Sequence, residues 1–117
     1  MLHFVICDDN LNLLQKLSST LENIFTKYNY DASVSFQTDN VDSLLQYVDT
    51  NKIDVLFLDI NLKSNKTGLE VAEMIRKKNK DIYLIFTTGH LEYAMLAYKF
   101  KTFDYIAKPI TTERLED

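Results

Sequence analysis

Short apolar segments alternate along the chain with longer stretches in which apolar residues recur every three or four positions. A short run that is apolar throughout is typical of a buried β-strand, because both of its faces are covered. The recurring spacing instead places apolar side chains on one face of a helix. The strands predicted in this way cover Leu2 to Cys7, Ala32 to Gln37, Asp54 to Leu58, Ile82 to Phe86 and Phe103 to Ala107.

Amphipathic helices are predicted after each of these strands. The third opens at Thr67, because Thr67 and Glu70 have the spacing of a capping box. Asp9 or Asn10 could cap the first helix. A last helix begins near Thr111 and is truncated after one turn by the end of the chain. The apolar stripes of the other helices run from Leu11 to Tyr28, Val41 to Val48, Leu69 to Ile75 and Leu91 to Lys99.

The order of these elements predicts the fold class. Strands that alternate with helices form an α/β domain, in which a parallel sheet is covered by helices on both faces. In such a doubly wound sheet, ligands bind at the carboxyl ends of the strands, near the point where the strand order reverses. The residues that directly follow each strand are therefore the candidates for function.

Composition and charge exclude several classes of protein. The chain has 117 residues and is 46% hydrophobic, which suits one globular domain over residues 1–117. A net charge of −4 does not suit a surface that binds nucleic acid by itself. The sole cysteine, Cys7, lies in a predicted strand, where we expect a buried and reduced thiol. No apolar run approaches the roughly 18 residues of a membrane span, and we expect a cytoplasmic protein without membrane contact.

Acidic, hydroxyl and basic side chains stand at the ends of separate predicted strands. Asp8 and Asp9 follow the first strand, Asp59 the third, Thr88 the fourth and Lys108 the fifth. Carboxylates that meet at one sheet edge repel each other unless a cation lies between them. Mg²⁺ is a natural partner, since it binds carboxylate, water and phosphate oxygens. With a hydroxyl and an ammonium to bind phosphoryl oxygens, these groups suit phosphorylation of a carboxylate.

Each of these residues also has a plain structural interpretation. Asp8 and Asp9 could end a strand and cap a helix, and Asp59 could cap a turn. Thr88 could be an ordinary β-branched strand residue, and Lys108 a solvated surface residue. The functional interpretation depends on these residues taken together. Without it, every one of the structural interpretations would have to be true at once, at four strand ends of one chain.

Motifs at these strand ends resemble the receiver domains of response regulators from bacterial two-component systems. The resemblance extends over essentially the whole chain, with matching order and spacing. It implies a CheY-like, or flavodoxin-like, five-stranded parallel sheet of order 2-1-3-4-5 with a truncated last helix. The motifs that match are Val5 to Asn10, Leu56 to Leu62, Phe86 to His90 and Asp104 to Pro109.

The resemblance implies a role for each acidic residue at the site. Asp59 would be the phosphoryl acceptor and a ligand of Mg²⁺. Asp9 would bind the ion directly, Asp8 largely through water, and Asn61 through its backbone carbonyl. The phosphoryl group would come from a sensor histidine kinase.

The resemblance also implies a conformational switch. Thr88 and Lys108 would bind the phosphoryl group as catalytic residues, and movement of Thr88 would let Tyr105 turn inward. The fourth helix, fifth strand and fifth helix would then form the output face, where a homodimer could assemble. A protein of this kind promotes its own phosphorylation and dephosphorylation, but it is not a conventional turnover enzyme.

Within the family, the chain is most similar to regulators that carry a LytTR-type DNA-binding domain. The segments concerned are Asp59 to Leu62, the long loop before Gly68, Thr88 to Ala94 and Phe103 to Tyr105. We therefore expect a DNA-binding output domain C-terminal to this chain. The long loop departs from the wider family pattern and bears on partner choice rather than on the chemistry.

Other classes of protein are less compatible with the sequence. A pseudo-receiver, an interaction module that is never phosphorylated, usually lacks an acidic ligand or the lysine, and this chain has both. An enzyme of the haloacid-dehalogenase type needs a second aspartate two residues after the first, where this chain has Asn61. A flavodoxin-like cofactor site is disfavoured because Asp8 and Asp9 would repel a phosphate in the first strand–helix turn.

Overall fold

A parallel five-stranded sheet of order β2-β1-β3-β4-β5 forms the centre of the molecule. The structure, a computed structural model, describes residues 1–59, 68–88 and 104–107. The fold class and strand order expected from the sequence are confirmed, whereas the predicted fourth and fifth helices lie outside the described residues. The elements are β1 Leu2–Cys7, α1 Leu11–Lys27, β2 Ala32–Thr38, α2 Val41–Thr50, β3 Val55–Asp59, α3 Gly68–Lys78, β4 Tyr83–Thr88 and β5 Asp104–Ala107.

Both faces of the sheet are covered, which explains why its central strands are apolar throughout. Leu56 and Leu58 of β3 pack into a core cluster with residues of α2 and α3. Phe57, which lies between them, packs on the opposite face with residues of α1. Side chains thus alternate between two cores with the two-residue period of a strand. Among the described helices, none has the length and hydropathy that a membrane span requires.

Asn10 caps α1 and so settles which of the two predicted residues begins this helix. Its side-chain oxygen accepts hydrogen bonds from the backbone N–H groups of Asn12 and Leu13, at 3.0 and 3.2 Å. These bonds satisfy donors that have no partner within the first turn of a helix. Because Asn10 takes this role, the carboxylate of Asp9 is not needed for capping.

The strand β2 lies at one edge of the sheet. The pairing register with β1 shifts between Phe4 and Val5. Glu22 of α1 contacts this strand, and its carboxylate accepts a hydrogen bond of 2.7 Å from the N–H of Val34. A helix side chain, rather than another strand, therefore satisfies this backbone group.

The central strands end later than the sequence pattern predicted. The prediction ended β3 at Leu58 and β4 at Phe86, but the ladder pairs Asp59 with Thr87 and Thr88 with Ala107. Pairing with neighbouring strands lengthens β3 and β4 at these ends. The sequence of a single segment does not show such pairing. Asp54 does not begin β3; its carboxylate instead accepts a 2.8 Å hydrogen bond from the N–H of His3.

Candidate functional site

Three carboxylates meet at the carboxyl ends of β1 and β3. Asp8 and Asp9 directly follow β1, and Asp59 is the last residue of β3. The two strands are neighbours, paired up to Cys7 and Leu58. One carboxylate oxygen from each of the three aspartates lies within 4.8 Å of the others. The structure thus brings together the acidic residues that the sequence predicted.

Burial makes this acid cluster, Asp8, Asp9 and Asp59, a site that favours a cation. The side chains of Asp8 and Asp59 are 3% and 2% exposed, and Asp9 is half-buried. Like charges taken out of water repel strongly, so the ionised cluster is stabilised by a positive charge between its oxygens. All of the donor atoms are hard carboxylate oxygens, and the more exposed Asp9 side leaves access for water. This donor set fits Mg²⁺, which keeps several of its waters.

Backbone contacts hold Asp8 in place within the cluster. Its N–H donates to the carbonyl oxygen of Thr38 at the end of β2, at 3.2 Å. Its Oδ1 accepts a hydrogen bond of 2.9 Å from the N–H of Asn10. The residue that caps α1 therefore also orients a carboxylate of the site.

The thiol of Cys7 lies in the negative potential of the aspartates at this edge of the sheet. The thiol is 1% exposed, which confirms the expected burial, and burial is the main cause that raises its pKa from 9.0 to about 12. The carboxylates of Asp8 and Asp59 raise the pKa further, and those of Asp39 and Asp9 contribute smaller effects in the same direction. An inert thiol is expected here, since the thiolate is the reactive form.

We expect Cys7 in the folded chain to react with iodoacetamide about a thousandfold more slowly than in denaturant at about pH 8. The measurement is the alkylation rate by intact mass, with the unfolded chain as the control. The neutral thiol is favoured in the folded state, so its contribution to stability is present below pH 9.0 and is lost as pH rises towards 12. Rapid labelling of the native chain would contradict the burial.

The remaining predicted site residues are only partly described. Thr88 is the last residue of β4, where it pairs with Ala107, and Tyr105 lies within β5. Asn61 and Lys108 lie outside the described residues. The expected roles of the hydroxyl, the ammonium, the backbone carbonyl and the switch aromatic therefore remain predictions.

Thr87 is a polar residue of this region that the sequence reading passed over. It is 2% exposed and is paired with Asp59 across the β3–β4 ladder. The available signal was its place two residues after Ile85, on the same face of the strand.

Comparison with known proteins agrees with the resemblance to receiver domains. The response regulator receiver domain family matches residues 4–117. The chain is 32% identical to sensory transduction protein LytT of Bacillus anthracis, over 98% of this chain and 44% of that protein. It is 35% identical to transcriptional regulatory protein LytR of Staphylococcus aureus strain N315, over 68% of this chain and 32% of that protein. The chain thus spans less than half the length of these curated relatives.

Solved structures show the same fold. The response regulatory domain of mrkE from Klebsiella pneumoniae has a TM-score of 0.83 and 26% identity, over 97% of this chain and 88% of that one. Response regulator TrrA from Thermotoga maritima, solved in complex with Mg²⁺ and BeF, has a TM-score of 0.82 and 25% identity. That match covers 99% of this chain and 94% of the other.

Proposed function

The chain belongs to the response regulator receiver domain family, and from this premise we propose that it accepts a phosphoryl group on Asp59 in two-component signalling. One observation carries the proposal. Oxygens of Asp8, Asp9 and Asp59, from the ends of two neighbouring strands, lie within 4.8 Å of one another. An acceptor carboxylate beside two further carboxylates that can hold a metal ion suits metal-assisted phosphoryl transfer.

Asp59 is the best acceptor of the three aspartates. It ends β3, which is paired with β1 on one side and β4 on the other. Its backbone is therefore fixed from both sides. Asp8 lies beyond the last residue of β1, outside the ladder, and Asp9 is more exposed to water. A rigid, desolvated carboxylate is the most effective nucleophile of this set.

Asp8, Asp9 and Asp59 would hold Mg²⁺, together with the backbone carbonyl of Asn61 that the family resemblance implies. When bound, the ion would neutralise charge on the acceptor and phosphoryl oxygens as it develops. The chain itself supplies the fixed positions of these carboxylates, through the β1–β3 ladder and the bond from Asn10 to Asp8.

The phosphoryl donor is proposed to be a phosphohistidine of a sensor histidine kinase. An oxygen of Asp59 forms a bond to phosphorus while the phosphorus–nitrogen bond breaks, and its electron pair returns to the imidazole, which takes up a proton. The product is an acyl phosphate on Asp59. Thr88 and Lys108 are proposed to bind the oxygens of the new dianion.

The phosphorylated state is proposed to control an output outside this chain. Recruitment of Thr88 would favour an inward position of Tyr105 and shift an existing equilibrium between two conformations. The relatives are about twice as long as this chain or longer, and we propose a LytTR-type DNA-binding domain as the output. Dimerisation through the fourth helix, fifth strand and fifth helix, and a cytoplasmic location, belong to the same proposal. The chain would alternate between phosphorylated and unphosphorylated forms without acting as a conventional turnover enzyme.

The wild-type chain is expected to gain the mass of one phosphoryl group when incubated with acetyl phosphate and Mg²⁺. Removal of the ion with EDTA should abolish the gain, because repulsion within the acid cluster then opposes approach of the anionic donor. Intact-mass spectrometry measures both results. A folded chain that binds Mg²⁺ poorly and gains no mass would instead support the pseudo-receiver interpretation.

A further inference from the structure

Asn10 connects the acid cluster to the first turn of α1. Its backbone N–H donates to Oδ1 of Asp8 at 2.9 Å. Its side-chain oxygen accepts from the N–H groups of Asn12 and Leu13, at 3.0 and 3.2 Å. Its carbonyl oxygen accepts from the N–H of Leu14 at 2.9 Å. One residue therefore holds a carboxylate of the site on one side and the start of a helix on the other.

The cap on α1 fixes the direction of the Asn10 N–H. The backbone of Asn10 is extended, with φ −98° and ψ 108°, and this is the conformation from which a capping side chain reaches the first helical N–H groups. Because the side chain and the N–H belong to one residue, the bonds to α1 also keep the N–H directed at Asp8. The bond to its carboxylate oxygen selects one rotamer of Asp8. Less side-chain freedom is therefore lost when a cation binds.

Asn40 caps α2 in the same way but does not contact a carboxylate of the cluster. Its side-chain oxygen accepts from the N–H of Ser43 at 2.9 Å, and its own N–H donates to the hydroxyl of Thr38 at 3.0 Å. The carbonyl oxygen of Thr38 accepts from the backbone N–H of Asp8 and not from its side chain. Of these two asparagine caps, that of Asn10 is the one bonded to the carboxylate of Asp8.

We infer that Asn10 is a positioning residue for the metal ion, acting through Asp8. Its side chain fixes its N–H, and this N–H holds the Asp8 carboxylate in the orientation that Mg²⁺ requires. Formation of the first turn of α1 and binding of Mg²⁺ are thereby coupled, and each stabilises the other. The inference deepens the proposed function and rests on it, because it concerns how the acid cluster binds its ion.

The first test measures Mg²⁺ affinity by calorimetric titration of the wild type, Asn10→Ala, Asn10→Ser and Asn40→Ala. Both asparagines are exposed, so truncation leaves no cavity in the core. We expect Asn10→Ala to weaken Mg²⁺ binding about fivefold, the factor that corresponds to one helix cap. Asn10→Ser should bind within about twofold of the wild type, since serine is also a good cap.

Asn40→Ala is the matched control, because it removes a cap of the same kind from a neighbouring helix. Without Mg²⁺, both alanine variants should melt about 4 °C below the wild type. Asn40→Ala should nevertheless bind Mg²⁺ within about twofold of the wild type, since it leaves the N–H of Asn10 in place. If both alanine variants weakened binding equally, lost stability rather than lost orientation would be the cause, and the inference would be wrong.

The outcomes also separate the inference from the proposed function. A wild-type chain that does not bind Mg²⁺ overturns the metal site on which the proposed function depends. A wild-type chain that binds the ion, with Asn10→Ala binding it as tightly, overturns only the role of Asn10.

A second measurement uses the wild-type chain alone and so does not depend on the folding of a variant. Amide hydrogen exchange is followed by NMR with and without Mg²⁺. We expect the ion to slow exchange at Asn12 and Leu13, whose N–H groups Asn10 caps, about fivefold, because the coupling is reciprocal. Exchange at Ser43, capped by Asn40, should change less than about twofold, since helix ends open locally. Equal effects at both helix starts would overturn the inference.

Discussion

Asp59→Asn is expected to abolish the gain of one phosphoryl group that the wild-type chain shows with acetyl phosphate and Mg²⁺. Asparagine has nearly the same shape, so β3 and its pairing with Thr87 should persist. Its amide, however, is not a nucleophile that can form an acyl phosphate. Intact-mass spectrometry after equal incubation measures the difference directly. Without Mg²⁺, the variant should also unfold at a higher temperature, because one charge of the buried cluster is removed.

Asp49→Asn is the matched control for this substitution. Asp49 is an exposed carboxylate of α2 that forms an ion pair of 2.7 Å with Lys78 of α3. The same chemical change there should leave phosphorylation at the wild-type extent, since an exposed ion pair contributes little. If Asp59→Asn were modified as fully as the wild type, the acceptor would be another residue.

Asp9→Asn is expected to weaken Mg²⁺ binding by at least about tenfold. Loss of a residue that only orients a metal ligand already lowers metal affinity about 10- to 100-fold. Asp9 contributes one of the three carboxylate oxygens that lie within 4.8 Å of one another. The wild-type chain should gain about 2.7 kcal/mol of unfolding free energy at 100 times its dissociation constant for Mg²⁺. The variant should gain much less at the same concentration. Calorimetric titration and thermal unfolding with and without the ion measure both effects.

Asp39→Asn is the control variant against which the effect of Asp9→Asn on Mg²⁺ affinity is compared. Asp39 is exposed after β2 and is close enough to raise the pKa of Cys7, but it is not one of the three clustered aspartates. Its loss should reduce Mg²⁺ affinity far less than the loss of Asp9. Equal losses would show that the ion responds to the overall negative potential rather than to direct ligands.

The architecture could be predicted from the sequence because the period of apolar residues differs between strands and helices. Leu56 to Leu58 are apolar without a break since both faces of β3 are covered, and that pattern alone indicates a parallel central strand. Strand ends were predicted less well. Thr87 and Thr88 belong to β4 because Asp59 and Ala107 pair with them, and such pairing depends on residues far away in the chain.

The acid cluster could be predicted because parallel strands of one sheet end at the same edge. Asp8, Asp9 and Asp59 needed only correct strand assignments to be placed together, and the structure confirms their proximity. The cap could not be chosen between Asp9 and Asn10, since both are good capping residues and only the backbone geometry separates them. Thr87 was missed for a similar reason: its burial beside Asp59 depends on the register between strands, which the composition of β4 does not encode.

The contact between Glu22 and Val34 has a consequence for the behaviour of the chain at high concentration. An exposed outer strand offers unpaired N–H and C=O groups to an extended segment of another molecule, and this is a common route to aggregation. At the edge formed by β2, the Glu22 carboxylate already accepts from one of these N–H groups. It also brings a negative charge that repels a second acidic copy. One glutamate on α1 thereby makes this backbone group of the β2 edge unavailable for pairing with another molecule.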